Sequence, residues 1–262
     1  MAPNPFLLVT PATRGLSLAI TRHLLSTTNF PVFATHRSNS ADEVKDKILS
    51  SLKDVDPARL HLLNLDLTSE KSIASAADAL EESLPKDAES YIHTAFLTGG
   101  ILHPEKQPGD INFDDVAATF QINVISHLLL IKHFSRFLPS AHPKVQIDTP
   151  AKWVHVSARV GSISDNKRGG WYSYRASKAA LNQVIKTFDL QLQMQRSKAI
   201  SVGIHPGTVK TDLSKGFWDS AGVKDKIFEP TDAAEKVVGV VEKLKAEQRG
   251  RVWDWAGKEV PW

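Results

Sequence analysis

Phe6-Leu7-Leu8-Val9-Thr10-Pro11-Ala12-Thr13-Arg14-Gly15-Leu16-Ser17 is the stretch on which the fold turns. Its first four residues are apolar without a break, as expected of a short strand buried on both faces. Thr10 and Pro11 end the run. Leu16, Ala19, Ile20, His23 and Leu24 then recur at helical spacing. A buried strand, a tight turn and an amphipathic helix are the opening of a parallel βαβ unit.

The same alternation continues outward. Residues 31–35, 61–65, 91–97, 153–156 and 199–204 read as further buried strands. Helical spacing is found near 41–52, 69–84, from Asp114 onward, 174–195 and 231–245. Strict alternation predicts an α/β fold, a Rossmann-type doubly wound parallel sheet with helices on both faces. No linker, repeat or low-complexity stretch interrupts the chain, so residues 1–262 are expected to form a single domain.

Composition narrows the function. The 262 residues are 42% hydrophobic and 23% charged, which is ordinary for a folded domain and excludes disorder. Lys and Arg number 32 against 29 Asp and Glu, a net charge of +3 that gives little reason to expect nucleic acid. The absence of cysteine removes disulfides, thiolate catalysis and Cys-ligated metals. The N-terminal stretch has no basic segment, and Phe6 to Val9 is too short for a signal-peptide core. Leu128 to Ile131 runs at once into Lys132 and His133, far short of the roughly 20 apolar residues of a membrane span. The expectation is a soluble, cytoplasmic protein without a nucleic-acid or membrane partner. His103, His155 and His205 read as structural polar groups, because no ligand partner recurs at metal spacing.

Parallel α/β sheets bind ligands at the carboxyl ends of their strands. After the first strand, the turn and the helix N-terminus suit a phosphate, although a plain strand-to-helix turn would look the same. Only Gly15 stands where a dinucleotide loop usually has three glycines. After the second strand come His36 and Arg37, with no Asp or Glu between Val32 and Ala41. A basic residue there accommodates a 2′-phosphate, so the charge pattern favours NADP over NAD, with Arg14 nearby; a solvated surface arginine is the other reading. Asp66 can accept from an adenine amino group or cap the next helix, a task better suited to Thr68 or Ser69. Tyr174 and Lys178 are four residues apart and share a helix face. A phenol is a poor acid at neutral pH, and a neighbouring ammonium is expected to lower its pKa and make it a usable proton donor. Tyr91 and Tyr172 have no lysine at that spacing.

With the turn at 9–15, Leu63–Thr68, Leu97–Leu102, Phe120–Val124, Val154–Ser162, Tyr172–Gln183 and Ile204–Asp212 in this order, the chain resembles the short-chain dehydrogenase/reductase family over nearly its whole length. Residues 169–183 look closest to its C-factor-like carbonyl reductase branch. The resemblance implies a catalytic set of Tyr174, Lys178, Asn123 and a serine. Tyr174 would be the acid/base. Lys178 would hold the nicotinamide ribose, and Asn123 would anchor a relay water. It implies NADP(H) held by Thr10, Thr13, Arg14, Gly15, Leu16, Arg37, Asp66, Leu67, Gly99 and Lys178, with Pro206, Gly207, Thr208, Val209 and Thr211 around the nicotinamide. It also implies a homodimer or homotetramer.

The departures are local. Pro11 stands at the family's first glycine and Ser17 at its third. The usual catalytic serine position holds Ala158, flanked by Ser157 and Ser162; Ser157 is taken as the candidate, although strand alternation would point it away. Residues 211–230 are expected to form a substrate lid with hinges at Gly216 and Gly222. Phe217, Trp218, Phe228, Trp171 and Tyr172 would either line an apolar pocket or pack the lid onto the body. The expected function is NADPH-dependent reduction of a small hydrophobic carbonyl, or the reverse oxidation of an alcohol. A non-catalytic NADP-binding sensor on the same fold is the alternative.

Overall fold

The computed structural model describes residues 2–218 and 227–262. Strands β1 (Ala2–Thr10), β2 (Val32–His36), β3 (Leu60–Asn64), β4 (Ala88–Leu97), β5 (Ala151–Val156) and β6 (Ala199–His205) are separated by helices. These are α1 (Gly15–Thr27), α2 (Ala41–Leu49), α3 (Glu70–Ser83), α4 (Phe113–Phe120) running on into α5 (Ser126–Phe134), and α6 (Tyr172–Met194). A short pair, β7 (Thr208–Val209) and β8 (Ile227–Phe228), precedes α7 (Pro230–Lys243), β9 (Val252–Asp254) and β10 (Glu259–Val260). Among the described residues the main sheet is ordered β10-β9-β6-β5-β4-β1-β2-β3, parallel except for β10. The doubly wound expectation is met.

The period-2 alternation of the strands divides the core in two. Leu7 and Val9 of β1 face Ile20 and Leu24 of α1, Ile48 of α2 and Val237 of α7. Phe6 and Leu8 face the other way, toward Ile73 of α3, Phe134 of α5 and Phe188 of α6. Both faces of β1 are therefore dry from Phe6 to Val9, which is why those four residues are an unbroken apolar run. Helix starts follow their caps: Ser40 accepts from Glu43 N, Ser69 from Ser72 N, and Asn112 from Asp114 N and Asp115 N.

Two features lie beyond the sequence reading. β1 begins at Ala2, despite Pro3 and Pro5. There it pairs only with β4, since pairing to β2 starts at Leu7, and prolines are tolerated where one side needs no donors. The C-terminal β9 joins the sheet parallel to β6, and β10 turns back along it.

Strand order reverses between β1 and β4, so the crevice above Thr10 and Leu97 is where such a sheet binds ligands. A π-turn over Gln121–Ile125 links α4 and α5 and carries Asn123 beside this crevice. No helix of the described residues is long and apolar enough to cross a membrane.

Candidate active site

The β1–α1 turn is pinned from both sides. Thr35 Oγ1 donates to Thr10 Oγ1 at 2.8 Å, Ala12 N to Thr35 O at 3.0 Å, and Thr98 N to Thr10 O at 2.7 Å. Thr10 is wholly buried, so its hydroxyl serves this scaffold. The Thr10–Pro11 peptide is cis. Arg14 is the extended N-cap of α1 and makes no side-chain cap, and the first turn holds no acid. The helix therefore offers its first N–H groups and its positive dipole end without an internal anion. Gly15 has φ +52°, and a Cβ on it would lie 3.0 Å from Thr211 Cγ2. That contact brings the 206–211 segment onto the phosphate turn. Thr13, Arg37, Ser38, Glu43, Val44 and Lys47 line a cleft of about 310 Å³ next to it, two bases against one acid.

Asp66 Oδ1 accepts from Thr68 N and Oγ1, at 2.9 and 2.8 Å. These bonds, with the Arg37 guanidinium nearby, hold its carboxyl below the usual range. The helix cap itself is Ser69. Leu67 packs on Gly99, where an added Cβ would lie 2.8 Å from Leu67 Cδ1.

On α6, Tyr174 and Lys178 are both buried, with the Lys178 Nζ 5.8 Å from the Tyr174 ring centroid. Lys178 Nζ donates to Val156 O at 2.9 Å. Asn123 accepts from Ile101 N at 2.8 Å and donates to Ile101 O and to Ser177 Oγ, both at 3.0 Å. Ser177 Oγ in turn donates to Tyr174 O. Asn123 thus ties the π-turn to the α6 turn between Tyr174 and Lys178. Gly100 closes the group, since a Cβ there would stand 3.5 Å from Lys178 Nζ and 3.8 Å from Asn123 Oδ1. Sequence spacing alone pointed to neither Ser177 nor Gly100.

The electrostatics correct one expectation. Lys178 was expected to lower the Tyr174 pKa, but burial pushes Tyr174 up to about 12 and Lys178 down to about 8. Desolvation disfavours the charged form of each, and a lysine spending a proton on Val156 O does not offset it.

Behind the site, His127 and His155 form a wholly buried pair, Nδ1 to Nδ1 at 2.8 Å. His127 Nε2 lies 3.1 Å from Gly99 O and must donate there. Its Nδ1 then accepts from His155 Nδ1, which leaves His155 Nε2 unprotonated. Burial keeps both rings neutral, His127 at about 3. This pair buttresses the Gly99 carbonyl. His205, half-buried with its Nδ1 shut off from solvent, is lowered to about 4 by desolvation. His103 lies 3.3 Å from Asp115 at the surface.

The serines are otherwise engaged. Ser157 Oγ donates to Asn182 Oδ1 at 2.7 Å, one turn of α6 beyond Lys178. Ser162 Oγ accepts from Asp165 N at 3.1 Å. Ala158 starts the 3₁₀ turn Arg159–Gly161, which packs on α6.

The aromatics split between the two expectations. Trp171 meets Tyr174 edge-on at 6.1 Å and Phe217 at 4.7 Å, beside the phenol. Phe228 instead packs on Trp255 at 4.8 Å and beneath Gly207, which has φ +78°. Trp218 Nε1 donates to Ser214 Oγ at 2.9 Å, and Tyr172 is exposed at the start of α6. Gly216 lies in open space, whereas Gly222, the other expected hinge, is among residues 219–226, outside the described residues. Pro206, Thr208 and Val209 run along the carboxyl edge of β6, and Ser214 Oγ donates to Val209 O.

Residues 5–221 match the family model for short chain dehydrogenases. The chain belongs to this family of oxidoreductases. Among individual proteins, it is 32% identical over 154 residues to the C-signal of Myxococcus xanthus, covering 59% of this chain and 82% of that one. An uncharacterized oxidoreductase of Schizosaccharomyces pombe is 26% identical over 259 residues, 95% of this chain and 94% of its own. An NADPH-bound carbonyl reductase from chicken fatty liver superposes with a TM-score of 0.82 at 26% identity, with full coverage of both chains.

Proposed function

We propose that the chain binds NADP(H) in the crevice above β1 and β4 and reduces a small apolar ketone or aldehyde. The observation that carries this is the junction of the uncapped α1 N-terminus with the Tyr174–Lys178–Asn123 cluster at one end of the sheet. The residues fit the cofactor. The α1 N–H groups meet the diphosphate, and Arg37 with Lys47 lines the cleft for a 2′-phosphate. Asp66 and Leu67 meet adenine, and the 206–211 segment meets the nicotinamide end. Bound there, the cofactor supplies the hydride. Tyr174 gives its proton to the carbonyl oxygen, and the Lys178 ammonium beside its ring stabilises the phenolate that is left. Trp171 and Phe217 supply the apolar wall, with 211–230 as the lid. A homodimer or homotetramer, built on helix faces that expose Phe113, Leu190 and Met194, belongs to the same proposal.

The non-catalytic sensor draws support from Ala158 and from the two engaged serines. One experiment separates the readings. NADPH binding, followed by fluorescence, is expected to weaken roughly 10–100-fold in Arg37→Ala, the loss of one charged hydrogen bond. NADH binding should hardly change. A carbonyl screen should then show turnover that Tyr174→Phe abolishes. Binding without turnover would select the sensor, and no binding of either nucleotide would sink both readings.

A further inference from the structure

The start of α6 is unusual. Its N-cap, Trp171, has φ +54°, a strained conformation for a bulky residue, and makes no side-chain cap. Yet the first turn of this helix carries Tyr174, and uncapped helix ends fray. The missing cap comes from a distant loop. Glu105, only 2% exposed, places both carboxylate oxygens 3.2 and 3.3 Å from Ser173 N. Its own carbonyl accepts from Trp171 N at 2.7 Å. Gly170 permits this approach, since a Cβ on it would lie 3.1 Å from Glu105 O. A carboxylate this buried is costly unless compensated, and here the compensation is the positive end of a 23-residue helix. The loop after β4 thus grips the site twice, Asn123 through Ile101 and the Tyr174 turn through Glu105.

We propose that Glu105 is a positioning residue for Tyr174, fixing the first turn of α6 and so the phenol. This rests on Tyr174 being the proton donor, and the test separates the two claims. The whole protein is labelled with 3-fluorotyrosine and its three tyrosines resolved by ¹⁹F NMR, with Tyr174→Phe assigning the relevant signal. In Glu105→Ala the Tyr174 resonance is expected to shift and broaden. Carbonyl reduction is expected to lose tenfold or more in kcat, with KM for NADPH within twofold. Glu105→Gln, which keeps an acceptor of the same reach, is expected to restore both. An unmoved Tyr174 resonance in Glu105→Ala overturns the proposal whatever the kinetics. A moved resonance with wild-type kcat also overturns it, because the capping would then have no bearing on the reaction. A moved resonance, restored by Gln, in a wild type that reduces no carbonyl would leave the positioning standing and remove the reductase reading. Should the alanine variant not fold, Glu105→Asp withdraws the carboxylate by one methylene, and a wild-type resonance there is equally fatal.

Discussion

Gly161 has no room for a methyl group. A Cβ on it would lie 2.7 Å from Lys178 Cβ and 2.8 Å from the Lys178 carbonyl carbon, so the 158–161 turn and α6 touch backbone to backbone. Gly161→Ala must push them apart. It is expected to destabilise the fold by about 1–3 kcal/mol, the usual effect of overpacking, measured as a lower urea midpoint at unchanged slope. Wild-type stability would show that the turn yields freely. The difference between what the sequence disclosed and what it hid is clear at this scale. Tyr174 and Lys178 were legible because their relation is local, one helical turn. Ser177 sits between them, but its role lies in a bond to Asn123, 54 residues away. Glu105 meets Ser173 across 68 residues, and Gly161 shows its purpose only once α6 is packed on it. Residue spacing encodes neighbours on one element, and it is silent on those that folding brings in. The sign of the Tyr174 shift was misjudged for the same reason, since burial was not visible.

At the scale of elements, apolar runs and caps carried the information. Six strands of the sheet are legible because each carries a short, largely apolar run, fully buried in β2 and only partly so in the edge strand β3. β9 and β10 escaped because three and two residues are too few to show a period. The π-turn at 121–125 also left no mark, since its extra residue disturbs the helical repeat only once. That turn makes the start of α4 important, because whatever loosens α4 loosens Asn123. Asn112 caps α4 with two backbone bonds, to Asp114 N at 2.9 Å and Asp115 N at 3.2 Å. Asn112→Ala is expected to cost about 1 kcal/mol and to speed amide exchange over the first turn of α4. Unchanged exchange there would show that packing, not the cap, holds the helix.

For the molecule as a whole, the buried bases set the response to acid. His93 and His205 are lowered to about 4 and His127 to about 3, against 6.5 in an unfolded chain, all by burial. The unfolded chain therefore binds protons below pH 6.5 that the folded one refuses. The histidines' contribution to stability should be complete above about 6.5 and decline as pH falls toward 4, with more than one proton taken up on unfolding. Lys178, lowered to about 8 from 10.5, acts in the same sense in its own window, adding stability as pH rises from 8 to 10.5. Urea midpoints at pH 4.5, 7 and 9 check this, and equal midpoints at 4.5 and 7 would contradict it.

The last strands decide what the sheet shows to other molecules. β6 is seven residues long and buried from Ala199 to Ile204, and β9 with the antiparallel β10 occupies its outer side, followed by Pro261, which cannot donate to a further ladder. Without residues 251–262, the outer side of Gly203 to His205 would lose its partner strand while the inner side stayed paired with β5, leaving an open template for strands of other chains. A protein ending at Gly250 should therefore clump while refolding, detectable as light scattering that rises with concentration. Residues 252–260 cover a sheet edge that other strands could otherwise pair with.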